Sequence, residues 1–155
     1  MGLLKKEIIA EDCLLGVWEI TESFETLYAL VSLTSDEEKT VNNFLNEKRK
    51  IEWLSVRALV QILVNKDTHI VYNEERKPFL SDYSYNISIS HSRNLTAVLL
   101  SKTRRVGLDL EYMSHDIEKV ISKFINDKER ITPIKEQRNY HLYAHWCAKE
   151  AIYKI

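Results

Sequence analysis

Two short stretches of this chain carry the residue types that phosphate chemistry needs. Val106-Gly107-Leu108-Asp109-Leu110-Glu111 sets two carboxylates at i and i+2 in an apolar run. Read as a strand, its alternation points both to one side. Trp146-Cys147-Ala148-Lys149-Glu150-Ala151-Ile152-Tyr153-Lys154 reads as helix, and Trp146, Glu150 and Lys154, four residues apart, share a face. Three carboxylates and a lysine suit an Mg²⁺-assisted reaction at phosphate. Hard oxygen ligands hold the ion, and the cations offset charge on the departing phosphate.

Each of these residues has a plainer reading. Asp109 and Glu111 fit a solvated strand edge, and Glu150 with Lys154 fits a surface ion pair worth about 0.3 kcal/mol. Ser90-His91-Ser92 places a hydroxyl beside an imidazole, but strand neighbours point to opposite faces and no Gly-x-Ser-x-Gly elbow is present, which argues against hydrolase chemistry. His141 and His145 share a helical face, yet Leu142-Tyr143-Ala144 between them supplies no glutamate and Cys147 lies elsewhere on the helix. That argues against a transition-metal site.

The elements that must position these groups fit in 155 residues, enough for one domain or two small lobes sharing a core. Hydrophobic residues at 45% and charged residues at 29% indicate a folded chain. A formal net charge of −1 gives no bulk attraction to nucleic acid, so any anion site must come from local clusters. Cys13 and Cys147 match no Cys-x-x-Cys pattern and read as reduced thiols of a cytoplasmic protein. Met1-Gly2-Leu3-Leu4-Lys5-Lys6 lacks the apolar core of a signal peptide, and no apolar run approaches the roughly 18 residues that span a bilayer.

Cys13 to Ile20 reads as a strand and Phe24 to Leu33 as a short helix. Ser35 is the expected N-cap of a helix through Asn46, and apolar spacing predicts a long amphipathic helix from Glu47 to Asn65. His69 to Tyr72, Asn86 to Ser90, Thr96 to Leu100 and Val106 to Glu111 read as strands of an antiparallel sheet, with Pro78 ending regularity between them. Ile117 to Phe124 is amphipathic, and Gln137 to Ile155 reads as one helix.

Four patches together resemble the 4′-phosphopantetheinyl transferases of the two-lobed, surfactin-synthetase-activating type. They are Arg49 to Arg57, Arg76-Lys77-Pro78-Phe79, Asn86-Ile87-Ser88-Ile89-Ser90-His91-Ser92, and the pair of stretches described first. The resemblance implies an α+β fold of pseudo-duplicated lobes, each an antiparallel sheet with a packed long helix. It divides the chain into a first lobe, 1–105, and a partial second lobe, 106–155, because the family's second lobe continues past the Lys-Glu helix. An incomplete second lobe would leave apolar surface on the last helix and on Val106 to Leu110 exposed or covered by a partner.

The resemblance further implies transfer of the phosphopantetheine arm of coenzyme A to a serine of an acyl or peptidyl carrier protein, releasing adenosine 3′,5′-bisphosphate. Asp109, Glu111 and Glu150 would hold Mg²⁺, and Glu111 or Glu150 would take the serine proton. Lys154, helped by Lys149, would offset charge on the leaving phosphate. Arg49, Arg57, Lys77, Ser90 and His91 would contact the 3′-phosphate, the diphosphate or the adenine. Neither nucleic acid nor membrane is implied as a partner. The alternative is a non-catalytic, shortened module that binds coenzyme A or a carrier protein.

Overall fold

Helix α3 (Glu47–Val64) organises the architecture. The Asn46 side chain accepts the Arg49 N–H at 3.4 Å to start it, and Asn65, at φ 55, ends it in the left-handed conformation. Trp53, Leu54, Val56, Ala58, Leu59, Val60 and Leu63 are all buried. A helix apolar on most of its circumference needs cover from more than one side. Leu54 and Leu59 are fully buried, which contributes about 2 kcal/mol each. The fold is α+β, in a computed structural model that describes residues 2–113 and 117–155.

One cover of α3 is a four-stranded antiparallel sheet of order β1-β2-β6-β5, built from β1 (Leu3–Ala10), β2 (Cys13–Glu19), β5 (Asn86–Ser92) and β6 (Leu95–Ser101). Gly16 of β2 lets the helix come down on the sheet. A Cβ there would stand 2.7 Å from Leu63 Cδ1 and 2.8 Å from Leu59 Cδ1. A buried hydroxyl pair, Ser55 Oγ and Thr96 Oγ1 at 2.8 Å, joins α3 to β6. The other cover comes from α1 (Phe24–Leu30) and α2 (Ser35–Asn43). Beside the sheet lies a separate hairpin of β3 (Ile70–Tyr72) and β4 (Pro78–Leu80), and the chain ends in α4 (Lys135–Tyr153).

Several boundaries differ from expectation. The N-cap of α2 is Thr34, not Ser35, because Thr34 and Glu37 form a reciprocal capping box. Strand β1 was not foreseen: nearly all its residues are exposed, so it lacks the alternation that marks a half-buried strand. Pro78 opens β4 rather than ending regularity, a position where its missing N–H is tolerated. Residues 106–111 are extended but belong to no strand. No helix among the described residues is long and apolar enough to cross a membrane.

The turn beyond β6 is tied back by Asp12, whose carboxylate accepts from the Thr103 hydroxyl, from Ser101 Oγ at 2.8 Å and from Thr103 N–H at 2.9 Å. The Thr103 hydroxyl and then Ser101 hold Asp12 down from 3.8 to about 2. A carboxylate lowered on folding stabilises the fold above its unfolded pKa, and that contribution disappears as pH falls through the folded value. We expect the wild type to lose stability relative to Asp12→Asn between about pH 4 and about pH 2, read by thermal melts across that range. Parallel curves would show that this tie contributes nothing.

Candidate functional site

The segment after β6 crosses the face of the sheet opposite α3. Val106 and Leu108 pack with Cys13, Leu15 and Leu99 in a small second core. The expected strand at 106–111 is replaced by a different device. The N–H groups of Leu108, Leu110 and Tyr112 donate to Ser88, Ser90 and Ser92 Oγ at 2.9, 3.1 and 3.0 Å. Side chains thus satisfy the backbone where a ladder would have done so. Gly107 admits the end of α4: a Cβ there would stand 1.8 Å from the Ala151 carbonyl oxygen.

This brings Lys154 onto Asp109. The ammonium stands 2.8 Å from Asp109 Oδ1, 2.9 Å from the Leu108 carbonyl oxygen and 3.3 Å from Ser90 Oγ. Ser90 Oγ also donates to Asp109 Oδ1 at 3.2 Å. One hydroxyl proton and two lone pairs are then fully used. Asp109 Oδ2 is buried with no hydrogen-bond partner among the described residues. Trp146 Nε1 donates to Glu111 at 3.2 Å. Burial, and after it the Asp109 carboxylate, pushes the Cys147 thiol up to about 12, so the sulfur beside the acids stays protonated.

Asp109 Oδ2 is an orphaned buried acceptor of the type that a hard cation takes. Among the described residues, however, no three histidine, cysteine or carboxylate side chains are gathered closely enough to hold an ion. Asp109, Glu111 and Glu150, the expected Mg²⁺ ligands, carry hard oxygen donors but are not gathered into one cluster.

Two cavities flank this point and share Pro78 and Ile89 in their walls. The larger, about 550 Å³, is lined by Arg76, Lys77 and Lys154 with Ile87, Ser88 and Tyr153. The smaller, about 210 Å³, is lined by Arg49, Arg57 and His91 with Glu52, Trp53 and Tyr72. The hairpin turn before β4 delivers the basic pair. Asn73 Oδ1 accepts the Lys77 N–H at 2.8 Å, and Arg76 adopts φ 62. That is a left-handed conformation usual for glycine or asparagine, and here a basic side chain occupies it.

The expected anion-binding residues therefore fall into groups. Lys77 and Lys154 share one cavity wall, and Arg49, Arg57 and His91 share the other. Arg57 is 4% exposed and bound to Glu37 at 2.8 Å, so its charge is already matched. Ser90 is spent on Leu110, Asp109 and Lys154. Lys149 does not join them: it pairs with Glu129 at 2.7 Å and donates to the Phe124 carbonyl. Arg76, Ser88 and Ser92 were not among the expected site residues. For the serines the available signal was a hydroxyl at every second position of β5.

The carboxy-terminal third carries the likeness to a known family. A model described as the 4′-phosphopantetheinyl transferase superfamily matches residues 105–155. The superfamily match takes in Asp109, Glu111, Lys149, Glu150 and Lys154 and begins one residue before the segment that crosses the sheet. The chain is also similar to the 4′-phosphopantetheinyl transferase HetI of Nostoc sp. strain PCC 7120, with 26% identity over 140 residues. That alignment covers 79% of this chain and 59% of the relative, so the chain spans about three fifths of the transferase it matches.

Proposed function

We propose that this chain acts in 4′-phosphopantetheinyl transfer, taking coenzyme A as donor and a serine of an acyl or peptidyl carrier protein as acceptor. The carrying observation is the Lys154–Asp109–Ser90 group, with Asp109 Oδ2 buried and unpaired, beside a cavity walled by Arg76, Lys77 and Lys154. Coenzyme A is polyanionic, and these cations stand where a diphosphate would be drawn. The superfamily match and the HetI similarity support the same reading. The division into a first lobe, 1–105, and the beginning of a second, 106–155, goes with it. Two free cysteines, Cys13 and Cys147, suit a reducing, cytoplasmic setting.

In this reading the serine oxygen forms a bond to the β-phosphorus of coenzyme A. The bond from that phosphorus to the bridging oxygen breaks, and adenosine 3′,5′-bisphosphate leaves with the electron pair. Glu111 or Glu150 accepts the serine proton, which a neutral hydroxyl must lose to be a competent nucleophile. Lys154 holds Asp109 in place and lies close enough to the cavity to meet the leaving phosphate. Mg²⁺, held by Asp109 with Glu111 and Glu150, would offset diphosphate charge.

The test is the intact mass of an apo carrier protein incubated with this chain, coenzyme A and Mg²⁺. A phosphopantetheine-sized increase, lost with chelator, is the expected result. Absence of the increase, with coenzyme A or carrier binding retained, would replace transfer by the binding-module reading. Absence of both would overturn the proposal.

A further inference from the structure

Ser88, Ser90 and Ser92 lie at alternate positions on one face of β5, opposite the face whose Ile87 and Ile89 pack in the core with α3. Their three hydroxyls receive the N–H groups of Leu108, Leu110 and Tyr112, which are also two residues apart. Both segments advance in the same direction with the same period, and no backbone ladder links them. We propose that Ser88 and Ser92 are positioning residues. With Ser90 they form a comb of hydroxyls that sets the register of the acidic segment and hence the side on which Asp109 and Glu111 emerge.

The physical case rests on what a slip would do. Side chains of an extended segment alternate, so a shift of one residue exchanges the acids with Val106, Leu108 and Leu110. The apolar contacts of Val106 and Leu108 with the sheet favour one phase but grip only the first part of the segment. The hydroxyls extend that grip to Tyr112, past both acids. Methyl groups at these positions would leave the amides of the segment without an acceptor. Ser90 also binds Asp109 and Lys154, so its loss mixes two effects. Ser88 and Ser92 reach the acids through the backbone alone. The comb itself stands apart from the transfer reading; its consequence for metal binding rests on that reading.

The test uses the whole chain with Ser88→Ala and Ser92→Ala combined, and two readouts. In amide hydrogen exchange, Leu108 and Tyr112 should exchange at least about tenfold faster, the weight of one ordinary hydrogen bond, while Leu54 and Leu59 in α3 keep their protection. In calorimetric titration with Mg²⁺, apparent affinity should fall about tenfold. The Ser88→Thr, Ser92→Thr pair, which keeps the hydroxyls, should restore both. Unchanged exchange at Leu108 and Tyr112 would overturn the comb. Faster exchange with unchanged Mg²⁺ affinity would overturn the positioning role. A wild type that takes no Mg²⁺ would instead overturn the acids as metal ligands, with exchange still deciding the comb. Should the double variant not fold, Ser92→Ala alone gives the same readout at Tyr112, since Ser92 is only half-buried.

Discussion

On the proposed transfer reading, Asp109→Asn is expected to lower phosphopantetheine transfer at least about a hundredfold, the scale of losing one preorganised electrostatic group. The substitution keeps the shape of the side chain, removes its negative charge and replaces one acceptor oxygen with a donor NH₂. Lys154 then loses the ion pair at 2.8 Å that fixes its ammonium. The position of Asp109 Oδ2, buried and unpaired, would no longer offer the proposed Mg²⁺ a charged oxygen. Transfer is followed by carrier mass, Mg²⁺ binding by calorimetry and folding by a thermal melt. Wild-type turnover in a folded variant would remove Asp109 from the site.

Arg57→Met should destabilise the fold by about 3–5 kcal/mol, because it strands a buried partner charge. Glu37 sits at the centre of a network. Its carboxylate takes Arg57 Nε at 2.8 Å, the Thr34 N–H at 3.1 Å and His69 Nδ1 at 2.8 Å. Arg57 also lies 3.1 Å over the Trp53 ring. Burial lowers the Arg57 pKa from its ordinary value, and Glu37 opposes that shift, which keeps the guanidinium charged. One ion pair thus joins the cap of α2, the body of α3 and the start of the β3 hairpin. Urea denaturation gives the magnitude. Unchanged stability with weakened coenzyme A binding would show that Arg57 serves the anion site rather than the Glu37 network.

These two residues show how far the sequence carried. The carboxylates of Val106 to Glu111 and the Lys154 helix were legible as chemistry because residue type and spacing are local properties. Helix α3 was legible for the same reason: its apolar period acts within a few turns. Arg57 was harder. On an otherwise apolar helix a lone arginine signals either a ligand contact or a buried ion pair. The choice depends on Glu37, twenty residues away and on another helix. Lys149 and Lys154 are five residues apart with the same chemistry, yet one faces Glu129 and the other Asp109. Five residues of helix already turn them about 140° apart, and the packing of α4 decides which neighbour each meets.

The acidic stretch marks the boundary most sharply. By itself the sequence determined that an apolar, alternating segment would present two carboxylates, that a lysine would end a helix near the carboxy terminus, and that the chain would be α+β. Its alternation predicted a strand, because period two describes any extended backbone. Whether such a backbone joins a ladder depends on what stands beside it. The tertiary structure placed serine hydroxyls there, let α4 approach over Gly107, and brought Lys154 to Asp109 across 45 residues of chain. Such contacts depend on side chains distant in sequence meeting at angstrom precision, and no local pattern encodes them.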